Sequence, residues 1–385
     1  MCVARPRGPE SVLQVAESAS AASQAGPGSG RVFAIDAARA LAILGMIIVN
    51  YRAMSAPDEL GPVWLEFAVD RLEGKAAALF VVLAGLGLSL RAKSWRRKGL
   101  DERMLQFAIV RRAGVLFILG LLHLHVWEWD ILHCYGLYLL VGASLMFSSG
   151  LELLAAGAFS VAVSLAFLSL GIIEEAPEFW SAQGALFEMT VGGMFPLFPW
   201  VVFLIFGLWL GRQDLRALFA NRRVFVMALL LVVGTEFVTD QLMPEHDFNE
   251  RSLRPEMLAM AWPRPATPAF LLSGMAVSFW VMAVLAAWER RKPEAPVLEL
   301  FARTGRLSLT IYLAHAAAIL VADTHEWFTG EDLPRVVGFG GLVYGLCMFG
   351  AAWWTRRYDH GPIEAIVRQI ADAPAETDRV APNGL

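Results

Sequence analysis

The densest group of chemically active residues is the segment HLHVWEWDILHCYG, residues 123–136. Asp130 and His133 are three residues apart, so their side chains can meet on the first turn of a helix. A carboxylate beside an imidazole suits general acid–base chemistry. The segment holds further potential metal ligands, but His123 and His125 would diverge by about 200° on a helix. We therefore expect an acid–base pair here and no metal ion.

A second group lies in the apolar segment GRLSLTIYLAHAA, where Ser308, Tyr312 and His315 are spaced i, i+4 and i+7. This spacing predicts that all three share one helical face. Ionisable side chains within a membrane are costly and usually face a cavity or a partner. His315 could therefore act as a base, an acid or a hydrogen-bond donor. The structural alternative is a buried histidine satisfied by Tyr312 or Ser308.

A third group lies in the first apolar segment, where Asp36, Arg39 and Asn50 share one helical face. Asp36 and Asn50 would be about 21 Å apart along the helix axis. The first two residues therefore belong near one membrane surface and Asn50 near the other. The structural alternative is an Asp36–Arg39 pair within the helix together with a capping Asn50.

The composition identifies the elements that must position these residues. The 385-residue chain is 57% hydrophobic and only 18% charged, with a mean hydropathy of +0.52. Soluble domains are about 45–50% apolar and about 25% charged, so a water-soluble globular protein is excluded. A net charge of −4 does not point to nucleic acid. The chain is predicted to be an all-α, polytopic integral membrane protein whose main partner is the lipid bilayer.

Ten apolar segments are long enough for a spanning helix, which needs roughly 20 residues. They lie near 33–52, 75–92, 105–125, 131–148, 152–172, 194–211, 223–241, 268–288, 306–323 and 336–355. Lys and Arg follow the second, sixth, eighth and tenth segments, whereas the opposite connections are acidic. The excess of basic residues on the cytoplasmic side predicts that both termini are cytoplasmic. The preference for Arg over Lys favours a GC-rich bacterium, hence the bacterial inner membrane.

The remaining stretches are predicted to be irregular. Residues 1–30 are rich in Ala, Ser, Gly and Pro and are expected to form a disordered cytoplasmic tail without a signal peptide. The transmembrane domain is predicted over 31–370, followed by a flexible tail over 371–385. The proline-rich segment Met243–Pro268 is expected to form an extracytoplasmic loop. Three scattered cysteines indicate no disulfide framework.

Several motifs resemble known membrane families. RVFAIDAARALAILGMIIVNY resembles the opening signature of the heparan-alpha-glucosaminide N-acetyltransferase family, and FPLFPWVVFLIFGLWLGR resembles its proline-rich span. RRAGVLFILGLLHLHVWEWDILHCYGLYLLVG, GRLSLTIYLAH and HGPIEAIVRQ are similar to the YeiB-like bacterial membrane proteins. The chain is therefore identified as a member of the transmembrane acyltransferase superfamily, which implies an acyltransferase-like helical bundle.

The resemblance implies that Asn50 lines an acyl-transfer site. In the acetyltransferase family, a catalytic histidine lies a short distance after this asparagine in the sequence. The corresponding segment here, YRAMSAPDELGPVW, contains no histidine. The base of an active enzyme must therefore come from elsewhere, and His133 and His315 are the available imidazoles. A chain that has lost catalysis is the alternative.

The expected reaction transfers an acyl group, with acetyl favoured, from cytoplasmic acetyl-CoA or another acyl-CoA to an acceptor. The acceptor would be a hydroxyl or amino group on an extracytoplasmic glycan or small molecule. Asn50 and Tyr312 would stabilise the oxyanion. The candidates for holding the CoA phosphates are Arg39, Arg111, Arg112 and Arg306.

Two other functions stay open. In a small-metabolite transporter, the residues lining the path would be Asp36, Arg39, His315 and Asp323. A non-catalytic membrane component would bind lipid or a protein partner. The sequence leaves open whether the chain forms a homo-oligomer.

Overall fold

The computed structural model describes residues 33–55, 61–169, 179–242, 261, 263–264, 266–325, 327 and 332–371. The predicted tails, except Ala371, and most of the Met243–Pro268 loop lie outside these residues, as does the side chain of Asp323. Across the described ranges the regular structure is helical, apart from an isolated bridge between Pro263 and Ala266. The prediction of an all-α fold is confirmed.

The helices follow the apolar segments in chain order. They are α1 (Phe33–Ser55), α2 (Val63–Asp70), α3 (Lys75–Arg97), α4 (Glu102–His123), α5 (Leu132–Leu145), α6 (Gly150–Ser169), α7 (Ala182–Phe187), α8 (Leu197–Leu210), α9 (Leu215–Ala220), α10 (Arg222–Leu242), α11 (Pro268–Arg291), α12 (Pro296–Gly305), α13 (Ser308–Thr324), α14 (Leu333–Trp354) and α15 (Pro362–Ala371). A π-helical turn, Glu188–Gly192, follows α7. Helix α1 is central, because it packs against α3, α11, α12, α13 and α14.

The spans are less regular than the ten predicted segments. Seven helices of the described chain are long and apolar enough to cross a membrane, and nine spans result if each of two bent helix pairs is one span. The first pair, α7 with its π-helical turn and α8, bends by 48°, and the second pair, α12 and α13, bends by 77°. The remaining predicted span is α5, which has only 14 residues. A polytopic membrane protein is confirmed, with broken spans among its helices.

Glycines allow the closest helix contacts. A Cβ atom on Gly85 of α3 would lie 2.0 Å from the carbonyl oxygen of Leu204 on α8. A Cβ atom on Gly120 of α4 would lie 2.1 Å from the backbone nitrogen of His133 on α5. Small residues let helix backbones approach within membranes, where packing drives helix association. Gly120 therefore allows the His133 backbone to lie directly against α4.

Candidate active site

Asp130 is the centre of a buried hydrogen-bond cluster between α4 and α5, and is only 2% exposed. Its Oδ1 atom accepts hydrogen bonds from His123 Nδ1 and the Tyr312 hydroxyl, both at 2.9 Å. Its Oδ2 atom accepts from the backbone N–H groups of Leu132 at 2.7 Å and His133 at 3.2 Å. His133 Nδ1 also bonds to Oδ2 at 3.2 Å. Asp130 thus caps α5 and joins α4, α5 and α13.

These contacts keep the carboxylate charged. Burial raises the pKa of Asp130, but hydrogen bonds from His123 and His133 outweigh it and hold the pKa below its usual value. Because a charged carboxylate can only accept, both Nδ1 atoms carry protons in these bonds. The Nε2 atom of neutral His133 therefore has a lone pair.

His133 lines a cavity of about 270 Å³ together with aromatic and acidic side chains, among them Phe179, Trp180 and Glu188. The Nδ1 atom of the His133 ring is hydrogen-bonded to Asp130, and His133 is 7% exposed. An imidazole oriented by a carboxylate can take a proton from a group in such a cavity. The predicted Asp130–His133 pair therefore has the geometry of a base and its orienting group.

Two members of the cluster were not predicted as partners of Asp130. His123 is seven residues away, and Tyr312 comes from a distant helix. The Nε2 atom of His123 is buried without a hydrogen-bond partner among the described residues. His123 ends α4 and Asp130 precedes α5. Their contact could have been predicted from the sequence only by recognising that the residues between them form a turn.

Asn50 and His315 meet between α1 and α13. Asn50 Nδ2 lies 3.0 Å from His315 Nε2, and His315 is fully buried. His315 Nδ1 is hydrogen-bonded to the Tyr312 carbonyl, which can only accept, so Nδ1 carries the proton. In neutral His315, Nε2 therefore accepts from the Asn50 amide. The structure thus places an imidazole beside Asn50, although the segment that directly follows Asn50, YRAMSAPDELGPVW, contains no histidine.

Asn50 lines a second cavity, of about 540 Å³, with Trp129, Trp200 and the charged residues Arg52, Glu73 and Arg264. Arg264 pairs with Glu73 at 2.8 Å, and Arg52 pairs with Asp70. Met194 and Phe195 line both this cavity and that of His133. The two cavities are therefore neighbours that share a wall.

A third cavity, of about 480 Å³, contains most of the predicted arginines and is called the basic cavity. Asp36 and Arg39 form an ion pair at 2.5 Å on its wall. The other cationic side chains lining it are Arg91, Arg112, Arg306 and Arg368, joined by His360 and by Glu364. Arg111 does not line this cavity, because adjacent residues on a helix point about 100° apart. Arg91 and Arg368 were not among the predicted phosphate-binding residues.

The C-terminal motif HGPIEAIVRQ forms the start of α15 and the turn before it. The Glu364 carboxylate accepts from the backbone N–H groups of Leu309 at 2.7 Å and Thr310 at 3.1 Å, and from the Thr310 hydroxyl at 2.5 Å. Glu364 therefore caps α13, since these N–H groups lack partners within the helix. The same helix places Arg368 in the basic cavity.

The fold and site define a polytopic membrane protein with a basic cavity near one end of α1 and, near the other, Asn50 bonded to the buried His315. The family model for the catalytic domain of heparan-alpha-glucosaminide N-acetyltransferase matches residues 31–234, more than half of the chain. The chain therefore belongs to this membrane acetyltransferase-like family. A model described as a protein of unknown function, DUF418, matches residues 216–373. No curated protein matches the chain. The predicted family resemblance is confirmed.

Proposed function

We propose that the protein transfers an acyl group, acetyl in the first instance, from acyl-CoA to a hydroxyl or amino acceptor across the membrane. One observation carries this proposal. Helix α1 has Arg39 in the basic cavity and, 11 residues later, Asn50 bonded to His315. The two positions are about 16 Å apart along the helix axis. This separation suits a donor whose phosphates and reacting thioester lie at opposite ends of a long, thin chain.

The basic cavity would hold the CoA phosphates. Five arginines and two carboxylates line it. Asp36 is bonded to Arg39, and Glu364 is occupied by the end of α13. Guanidinium groups bind phosphate with charge-assisted, often bidentate hydrogen bonds. We assign the donor phosphates to Arg112, Arg306 and Arg368, which line the cavity from three different parts of the fold.

The groups near the Asn50 end of α1 would carry out the reaction. His133 Nε2 takes the proton of the acceptor O–H or N–H, while the acceptor oxygen or nitrogen attacks the thioester carbon. The Asn50 amide has one N–H on His315 and a second N–H to donate to the resulting oxyanion. The C–S bond then breaks, and the CoA thiolate receives the proton from His133. His315 orients Asn50, and Asp130 orients His133.

With its reacting group placed at the shared wall of Met194 and Phe195, toward His133, the acceptor is assigned to the Asn50 cavity. Its walls carry the indole rings of Trp129 and Trp200 and the charged Arg52, Glu73 and Arg264. Aromatic faces combined with a few polar groups suit a ring that has apolar faces and hydroxyl edges, as a sugar has. A glycan or a similar small molecule is therefore the acceptor class that we propose.

The arginine-rich end is assigned to the cytoplasm of a bacterium, with both termini on that side of the inner membrane. The excess of basic residues at this end supports the assignment. It also agrees with the donor, because acyl-CoA is a cytoplasmic metabolite.

Isothermal calorimetry of acetyl-CoA with the detergent-solubilised protein tests the donor site. A charge-assisted hydrogen bond contributes about 1.5–3 kcal/mol, so Arg306→Ala and Arg368→Ala should each weaken binding by about ten- to a hundredfold. Arg303→Ala is the matched control, because Arg303 is paired with Glu299 at 2.6 Å and does not line the cavity. Absence of acetyl-CoA binding to the wild-type protein would contradict the proposal and favour a small-metabolite transporter.

A further inference from the structure

A separate groove lies between α11 and the start of α10. Its volume is about 630 Å³. The walls are apolar and include Phe219, Phe225, Val284 and Trp288. Three exposed cations, Arg222, Arg291 and Lys292, line the same groove. The groove thus combines apolar walls with a cluster of positive charge.

The position of the groove is fixed by the contact between α1 and α11. The backbone N–H groups of Phe33 and Ala34 donate to the Glu289 carboxylate at 3.0 and 3.1 Å. The last turn of α11 therefore lies beside the first turn of α1, at the same end of the bundle as the basic cavity. At this end, apolar spans meet the cationic connections, as expected at a membrane surface.

Among the described residues, no Asp or Glu lines the groove. None of them forms an ion pair with Arg222, Arg291 or Lys292. The nearest acidic side chain on the last turn of α11, Glu289, is already bonded to the start of α1. The start of α10 adds the positive end of a helix dipole.

We propose that this groove binds one anionic phospholipid of the bilayer. Arg222, Arg291 and Lys292 contact the headgroup phosphate, and an acyl chain lies along Phe225 and Val284. Val284 is 36% exposed, as expected for a side chain that a lipid covers. Basic pockets between spanning helices at the membrane surface favour anionic headgroups, by about 1 kcal/mol for each Lys or Arg. The site is distinct from the basic cavity and does not depend on the proposed acyl transfer.

Trp288 provides a direct readout, because its indole lines the groove. The full-length protein is placed in bilayers containing either phosphatidylglycerol or phosphatidylcholine with brominated acyl chains, which quench nearby tryptophan fluorescence. Subtraction of the Trp288→Phe signal isolates Trp288 from the other tryptophans. We expect half-maximal quenching of Trp288 at a mole fraction of phosphatidylglycerol at least tenfold lower than that of phosphatidylcholine.

Charge variants test the cause of this preference. Each replacement of Arg222, Arg291 or Lys292 by glutamine should lower the preference by up to about fivefold, and the triple variant should be quenched equally by the two lipids. A matched control replaces Arg97, Lys98 and Arg103, which are exposed cations outside the groove, and should retain the preference. Equal quenching by both lipids in the wild-type protein would overturn the proposal without any charge variant. An undiminished preference in the folded triple variant would overturn it as well.

Discussion

Replacement of His133 by alanine distinguishes a catalytic base from a buried structural histidine. The His133 ring bonds to Asp130 through Nδ1 at 3.2 Å, and His133 lines a cavity. Alanine removes the proposed proton acceptor but leaves the backbone N–H of residue 133 on the Asp130 carboxylate. Turnover should therefore fall much more than the stability of the fold.

The contacts of Asp130 indicate how large the two effects should be. A general base contributes about 10²–10⁴-fold to rate, equivalent to about 2.7–5.4 kcal/mol of transition-state stabilisation. Asp130 keeps four of its five hydrogen bonds, from His123, Tyr312 and two backbone N–H groups. Loss of one hydrogen bond to a charged group costs about 1.5–3 kcal/mol. We expect a folded protein that turns over at least a hundredfold more slowly.

The assay follows CoA release from acetyl-CoA with a thiol reagent, using a panel of monosaccharides and amino sugars as acceptors. His125→Ala is the matched control, because His125 is exposed and does not line the His133 cavity. Asp130→Asn should reduce the rate less than His133→Ala, since it removes only the orienting charge. His315→Gln should also be milder, because an amide can still bond to Asn50. Thermal unfolding of each variant monitors the fold.

Near-normal turnover of His133→Ala would exclude His133 as the base and leave His315 as the remaining candidate. If His315→Ala also retained turnover, base catalysis by either of these two histidines would be refuted. An equal loss in His125→Ala would show that the effect is not specific to the Asp130 cluster.

Three further predictions test the electrostatics, packing and orientation of the bundle. Folding lowers the pKa of Asp130, so its charge stabilises the fold above an unfolded pKa of about 3.9. This contribution is lost as pH falls through the pKa of the folded state. The unfolding temperature of Asp130→Asn should therefore depend less on acid pH than that of the wild-type protein. Gly85→Ala should lower the unfolding temperature by the equivalent of about 1–3 kcal/mol because its Cβ atom meets the Leu204 carbonyl, whereas Gly114→Ala, with no atom within 4 Å of the added Cβ, should not. A reporter fused after Leu385 should face the cytoplasm, and external labelling of that reporter in intact cells would contradict the predicted orientation.

Apolar runs were sufficient to predict the spanning helices, but not their breaks. The all-α class followed from length and hydropathy, because a bilayer admits few other solutions. The bend before α8 falls in the break over residues 193–196, which ends in Pro196, a residue without an N–H to donate. Helix α5 begins one residue after the start of the predicted segment 131–148 and ends three residues before its end. The segment before α5 folds into turns around the buried Asp130.

Site contacts within one helical turn were predictable, whereas contacts between helices were not. The Asp36–Arg39 and Asp130–His133 pairs follow from a spacing of three residues. The Asn50–His315 contact joins positions 265 residues apart. The periodicity of one sequence shows which residues share a helical face, but not which faces meet. Three predicted arginines line the basic cavity, Arg39, Arg112 and Arg306. They lie on different helices or turns, so the sequence could group them only by charge.

Helix α13 connects the parts of the proposed site. The Tyr312 hydroxyl bonds to Asp130, which orients His133, while the Tyr312 carbonyl fixes His315 against Asn50. At its N-terminal end, about one turn before Tyr312, α13 is capped by Glu364 of α15, the helix that places Arg368 in the basic cavity. A donor bound there therefore contacts the same unit, α13 and its cap, that orients the groups proposed to act on its acyl carbon. This arrangement explains how His315 can stand beside Asn50 although it lies on another helix, because Tyr312 fixes the position of the imidazole.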